Sequence, residues 1–216
     1  MSQKVKVWDL AVRFFHWSQL LLIALLWYTG EEGLMAQHQL LAYSLLALIV
    51  ARLVWGVVGS DSARFRRFAA TPADAVRYLR QPKPVSGHNP ASFYMIVLLI
   101  ILVLLQLLSG LATSDNSYIS DGPLVTSLPA GWVDIASEIH KININILLAA
   151  IAVHIVAALW HSFSVHNVLA VMITGTDKQS AVPQESLRHS VWFFILFAGL
   201  LALLYFWQGH KLVALL

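Results

Sequence analysis

Five apolar stretches, each near the roughly 20 residues that cross a hydrocarbon core, constrain this chain more than any other feature. They lie at about Leu10–Gly30, Gln37–Val58, Pro90–Thr113, Ile135–Phe163 and Ser190–Gln208. With 58% hydrophobic and only 12% charged residues, too little polar surface remains for a soluble domain of 216 residues. Backbone polar groups in lipid must be paired within the segment, so each stretch is expected to be helical. The expected fold class is therefore all-α, an integral membrane helical bundle. The first stretch carries Arg13, His16 and Gln19 and has no small-residue cleavage site after it, so it reads as a retained span.

The loops give the bundle a direction. Lys4, Lys6 and Arg13 precede or open the first span, and the loop after the second holds Arg64, Arg66, Arg67, Arg77, Arg80 and Lys83 against Asp61 and Asp74. The turn between the first two spans has Glu31 and Glu32 and no base; the loop from Ser114 to Asp134 has three aspartates and no base. Positive-inside logic places the N-terminus in the cytoplasm and, with five spans, the C-terminus outside, as in a multi-pass protein of a bacterial inner membrane. Within the basic loop, "TPADAVRYLRQP" reads as a short helix lying on the membrane, capped by Thr71 with Pro72 in its first turn. The acidic loop is either a lid over the outer face or a plain connector. No internal repeat is evident.

Cysteine is absent. Thioether-attached haem, thiolate-ligated iron–sulfur clusters and disulfides are thereby excluded. Histidine is instead the residue type that asks for an explanation, because an ionisable group inside a bilayer is costly and tends to be functional. In "EIHKININILLAAIAVHIVAALWHS" the fourth span holds His140, His154 and His161. Fourteen residues of helix turn through about 1400°, only about 40° short of four full turns, and rise about 21 Å. His140 and His154 thus share a face, His140 near the outer surface and His154 in the inner half. His161 follows on nearly the same face at the inner interface.

Two further histidines match these depths. His16, in "VRFFHW", lies in the inner part of the first span, and His38, in "QHQLLAYS", opens the second span at the outer side. The expected pairs are His16 with His154 and His38 with His140, each able to grip a flat cofactor from both faces. That is the ligand set of two non-covalent, bis-histidine b-type haems. A lone membrane histidine bonds across helices or lines a proton path as readily as it binds a cofactor. Four at paired depths are harder to explain that way, and zinc would want four ligands around one point rather than two at each of two levels.

Small and basic residues occupy places that such cofactors would use. Gly30 follows His16 by fourteen residues and Gly110 on the third span reaches the same outer level; both are candidates for room beside the outer cofactor, although glycine in membrane helices commonly serves packing. Ala150 and Ala157 flank His154 on its own face. Arg52, fourteen after His38, stands at the inner level where a haem propionate would want a cation. Lys141 either snorkels outward or pairs with an outer propionate. His161 is a candidate for a quinone or for the inner propionates, and His88, in "GHNP", is a loop residue bordering the inner site. His166, His189 and His210 read as interfacial.

The blocks "VWDLAVRFFHW", "RLVWGVVGS", "GHNP" and "HIVAALWHSFSVHNVLAVMITG" resemble those of the prokaryotic cytochrome b561 family, which includes the b-type cytochrome subunits of membrane-bound nickel–iron hydrogenases. The resemblance runs from about Val7 to Lys178. It implies a four-helix diheme core ligated at His16, His38, His140 and His154, and a quinone near the inner haem, within reach of Arg13 or His161. The membrane subunit of respiratory formate dehydrogenase, a relative, uses the same two-histidine spacing on its last ligating helix. The expected domains are a diheme unit over residues 1–178, then a linker and an additional C-terminal span over 179–216.

Irons with both axial positions filled by protein relay single electrons rather than bind substrate. The expected function is transmembrane electron transfer between a periplasmic redox partner, a c-type cytochrome or a hydrogenase subunit, and the quinone pool of the respiratory chain. The acidic outer loop would favour a basic patch on that partner. The alternative is a self-standing superoxide:quinone oxidoreductase, and a third class is a transporter whose histidines serve transport or packing. Membrane lipid is an obligatory neighbour and no nucleic-acid partner is expected.

Overall fold

The computed structural model describes residues 5–85, 87–114, 121–177 and 187–214. The elements run α1 (Leu10–Glu31), α2 (Met35–Val58), α3 (Phe65–Phe68), α4 (Pro72–Arg80), α5 (Pro90–Gly110), α6 (Ala130–Ser164), α7 (Val168–Thr174), α8 (Val191–Leu204) and α9 (His210–Val213). A two-residue strand β1 (Val5–Lys6) pairs antiparallel with β2 (Thr176–Asp177). Five helices are long and apolar enough to cross a membrane: α1, α2, α5, α6, and α8 continued through a π-helical turn at Tyr205–Gly209 into α9. The protein is an all-α membrane bundle, as the length and apolarity of the five stretches predict. The fourth span begins five residues earlier than expected, at Ala130, because Pro129 provides the N-cap and the apolar pattern continues inward from it.

Helix ends follow local chemistry. Asp9 caps α1 by accepting from the Val12 amide at 2.8 Å. Asn89 caps α5 in the same way through Ser92, with Pro90 in the first turn. Thr71 and Asp74 form a reciprocal capping box on α4, and the Thr71 bonds hold the Asp74 carboxyl below its usual range. Between α1 and α2 the chain reverses through Gly33, whose φ of +68° suits glycine.

Packing divides the bundle into two hairpins. α1 lies along α2, α5 along α6, and the hairpins meet where α2 touches α5. α1 and α6 do not pack closely on each other, and both are little buried, 11% of each apolar window against 50% for α2. The two helices bearing His16 and His154 are therefore far less packed than α2, and the fifth span, at 6%, is less packed still.

The fifth span backs the first hairpin. Phe193 is fully buried and meets Phe14 and Trp55, with Phe194 and Phe197 around it. Phe14 is two residues before His16, about 200° round the helix, so α8 packs on the side of α1 turned away from that imidazole. Ser190 accepts from the Ala11 amide at 3.2 Å, and Ser60 from the Arg188 amide at 3.0 Å.

Candidate functional site

The structure brings the four histidines together in twos. His16 on α1 faces His154 on α6 with ring centres 6.4 Å apart and planes inclined at 58°. His38 on α2 faces His140 on α6, again at 6.4 Å, with planes at 76°. A metal–imidazole bond of about 2.0–2.1 Å, with about 1.1 Å more from nitrogen to ring centre at each end, separates two opposed ligand rings by about 6.3 Å. Both pairs stand at that separation.

At the outer level the tautomer is fixed. His38 Nδ1 is 2.9 Å from the Leu26 carbonyl oxygen and His140 Nδ1 is 3.0 Å from that of Gln106. A carbonyl only accepts, so in both rings Nδ1 carries the proton, and the lone pair is left on Nε2. The Thr29 and Ser109 hydroxyl oxygens stand 3.3 Å from the same Nδ1 atoms. Each hydroxyl donates back along its own helix, Thr29 to Leu25 at 2.8 Å and Ser109 to Leu105 at 2.7 Å, so each presents a lone pair to the imidazole. Orientation of a ligand ring through its second nitrogen is the usual arrangement around metal-binding histidines.

Gly30 and Gly110 complete these cradles. A Cβ on Gly30 would lie 3.4 Å from His38 Cε1, and one on Gly110 only 2.8 Å from His140 Cε1. Both glycines sit at the outer level, where the sequence places them, and both abut a histidine ring. Carbonyl, hydroxyl and glycine follow one spacing twice, at Leu26, Thr29 and Gly30 on α1 and at Gln106, Ser109 and Gly110 on α5. It is a local repeat of five residues, too short to mark a duplicated segment. Gln106 and Asn143 brace the second copy: Gln106 Nε2 donates to the His140 carbonyl at 3.2 Å, and Asn143 Nδ2 to Gln106 Oε1 at 2.8 Å and to the Leu102 carbonyl at 2.9 Å.

The inner level is built differently. His16 Nδ1 is buried without a hydrogen-bond partner, and His154 makes no hydrogen bond among the described residues. Arg52 is buried, donates to the Ala63 carbonyl at 3.2 Å and lies 4.7 Å from the centre of Phe65 and 5.7 Å from that of Phe15. His88 packs against Phe68 at 4.1 Å and Trp8 at 4.6 Å, its Nε2 buried and unpartnered. Burial, then the nearby charges of Arg52 and His16, push His88 down to about 3, so it is neutral at physiological pH. His88 is a loop residue, as expected, whose ring packs inward against Phe68 and Trp8.

His161 is buried at the inner end. Its Nδ1 donates to the His166 carbonyl at 3.3 Å, which leaves Nε2 to accept from the Tyr78 hydroxyl, and the two rings stack at 18°. Partial burial raises the Tyr78 phenol above its usual range. His166 itself is buried against Asp177 at 3.2 Å. Arg13 donates to the Ile173 carbonyl at the end of α7 at 2.5 Å, while its Nε is buried without a partner. Lys141 lies on the exposed side of α6 beside Glu138 at 3.5 Å. Six other residues enter the site without having been singled out from the sequence: Thr29, Ser109, Gln106, Asn143, Tyr78 and Asp9. Gln106 and Asn143 carried a usable signal, since amide side chains inside apolar spans call for partners.

The model of the prokaryotic cytochrome b561 family matches residues 7–175 of this chain. The chain belongs to the prokaryotic cytochrome b561 family. Its business is therefore transmembrane electron transfer through b-type haem, and the histidine pairs are the donors that fit such a group. The match ends before the fifth span, which this cytochrome carries beyond the family core. Neither curated proteins nor solved structures gave a match to the chain.

Proposed function

We propose that this cytochrome carries electrons between an outer-side redox partner and quinone at the inner face, with one b-type haem held by His38 and His140 and a second by His16 and His154. The observation that carries the reading is the pair of opposed imidazoles at each of two levels, both at 6.4 Å. When bound, haem with imidazole on both faces supplies one-electron chemistry and no open iron position. The chain does the rest. The outer cradles fix two ring orientations, Gly30 and Gly110 keep the rings free of clashes, and Arg52 puts a buried cation at the inner level for a propionate carboxylate.

At the inner end we assign the quinone to the Tyr78–His161 pair and Arg13, with His161 acting through the Tyr78 hydroxyl. Tyr78 donates into His161 Nε2, so the pair holds a proton where quinone reduction would consume one. Arg64, Arg66, Arg67, Arg77 and Arg80 gather on the same side, which supports an N-terminus in the cytoplasm and a bacterial inner-membrane setting. On the opposite side Asp121, Asp134 and Glu138 offer an acidic face to a basic partner such as a c-type cytochrome or a hydrogenase subunit. The fifth span serves as a buttress for α1 and α2.

The test is vectorial turnover. Purified cytochrome in liposomes containing quinone should reduce it when a reduced c-type cytochrome is supplied outside, and His140→Ala should abolish the reaction. Equal rates in the variant would refute the proposal; turnover with superoxide and not with the c-type protein would instead support a self-standing superoxide:quinone oxidoreductase.

A further inference from the structure

The two levels treat their imidazoles unequally, and the inequality has an electrical consequence. At the outer level both Nδ1–H groups give their proton to a carbonyl and a hydroxyl oxygen: His38 to Leu26 and Thr29, His140 to Gln106 and Ser109. A ring that shares its proton in this way takes on imidazolate character, and its Nε2 becomes a stronger donor, which favours the more oxidised metal. At the inner level His16 Nδ1 has no partner and His154 makes no hydrogen bond among the described residues, so neither ring is reinforced. Fixed charge acts in the same direction. Arg52 is buried beside Phe15, the residue preceding His16, and a cation in a poorly screened setting stabilises an added electron. Asp9 opposes it only in part, because the Trp55 indole at 2.9 Å and the Val12 amide at 2.8 Å already donate to its carboxylate.

We propose that the carbonyl–hydroxyl–glycine cradles of α1 and α5 make the outer site the lower-potential of the two, so that electrons arriving outside run downhill to the inner end. The inference rests on the haem assignment proposed above and adds the direction of flow to it. Thr29 and Ser109 are positioning residues here: they act on the irons only through His38 and His140. Because the same spacing occurs on both sides of the outer pair, the two ligands are strengthened together, and loss of either hydroxyl should be felt at one site only.

The test is spectroelectrochemistry of the haem-loaded protein. His154→Ala, which keeps the outer pair, should titrate at a lower potential than His140→Ala, which keeps the inner pair. The reverse order, or no difference, overturns the proposal. Ser109→Ala and Thr29→Val, made in the two-haem protein, should each raise only the lower component. The expected size is a roughly three- to tenfold change in the ferric-to-ferrous ratio at fixed potential, tenfold being about 59 mV for one electron. These near-isosteric variants keep both ligands, so the comparison stands even where a histidine variant does not fold. Movement of both components together, or of neither, shows the cradles to be packing alone. A colourless wild-type protein would remove the haem assignment itself, and is recognisable as that failure because no component is seen.

Discussion

Gly110 stands so close to His140 that a single added methyl would lie 2.8 Å from the ring's Cε1 and 3.2 Å from its Nδ1. The ring cannot yield without leaving the Gln106 carbonyl, its bond partner at 3.0 Å. Gly110→Ala should therefore cost about 1–3 kcal/mol of overpacking and loosen the outer site. At Gly30 the same methyl meets His38 at 3.4 Å, a contact that a shift of a few tenths of an ångström relieves. The expected result is a haem-to-protein ratio that falls in Gly110→Ala and stays near the wild-type value in Gly30→Ala.

The amide brace between α5 and α6 should matter for stability more than its size implies. Asn143→Leu removes one buried and one part-buried hydrogen bond and leaves Gln106 Oε1 without its donor, at a cost of about 1–3 kcal/mol. Asn145 is exposed and bonds only the Lys141 carbonyl of its own helix, so Asn145→Ala should be near neutral. Unfolding midpoints in detergent compare the two.

Acid should act through His88. Its folded pKa, about 3, lies below the 6.5 of the free side chain, so the folded state resists protonation that the unfolded chain accepts. The contribution is fully present above about pH 6.5 and is lost as pH falls from there toward 3. Thermal stability should decline across that window, and His88→Asn should flatten the decline. An unchanged slope in the variant would place the acid sensitivity elsewhere.

The fifth span should be separable from the electron path. Phe193 is fully buried among Phe14, Trp55 and Phe197, so Phe193→Ala should destabilise by about 3–5 kcal/mol. Because Phe14 lies on the far side of α1 from His16, the visible spectrum of the folded fraction should be unaltered. A changed spectrum at equal haem content would mean that α8 reaches the cofactor side.

Much of this arrangement can be read from the chain. Apolar length and the need to pair backbone groups in lipid carry the five spans, fourteen-residue arithmetic aligns His140 with His154, and position within their own spans matches His16 and His38 to those depths. The cradles are hidden for a definite reason: their principal acceptors are the backbone carbonyls of Leu26 and Gln106, which no side-chain pattern reports, and the hydroxyls of Thr29 and Ser109 look like ordinary small residues of a membrane helix. Tyr78 meets His161 across a separation of 83 residues, through a surface helix whose docking depends on α5. The burial of His88 depends likewise on Phe68 and Trp8, from two other segments.

The most direct measurement is haem per chain in the wild type and in the four single-histidine variants. Pyridine haemochrome analysis should give two b-type haems for the wild type and close to one for His16→Ala, His38→Ala, His140→Ala and His154→Ala. His16 and His154 variants should keep the same haem, and His38 and His140 variants the other. Two haems surviving the loss of either α6 ligand, or both lost with any one, would contradict the pairing.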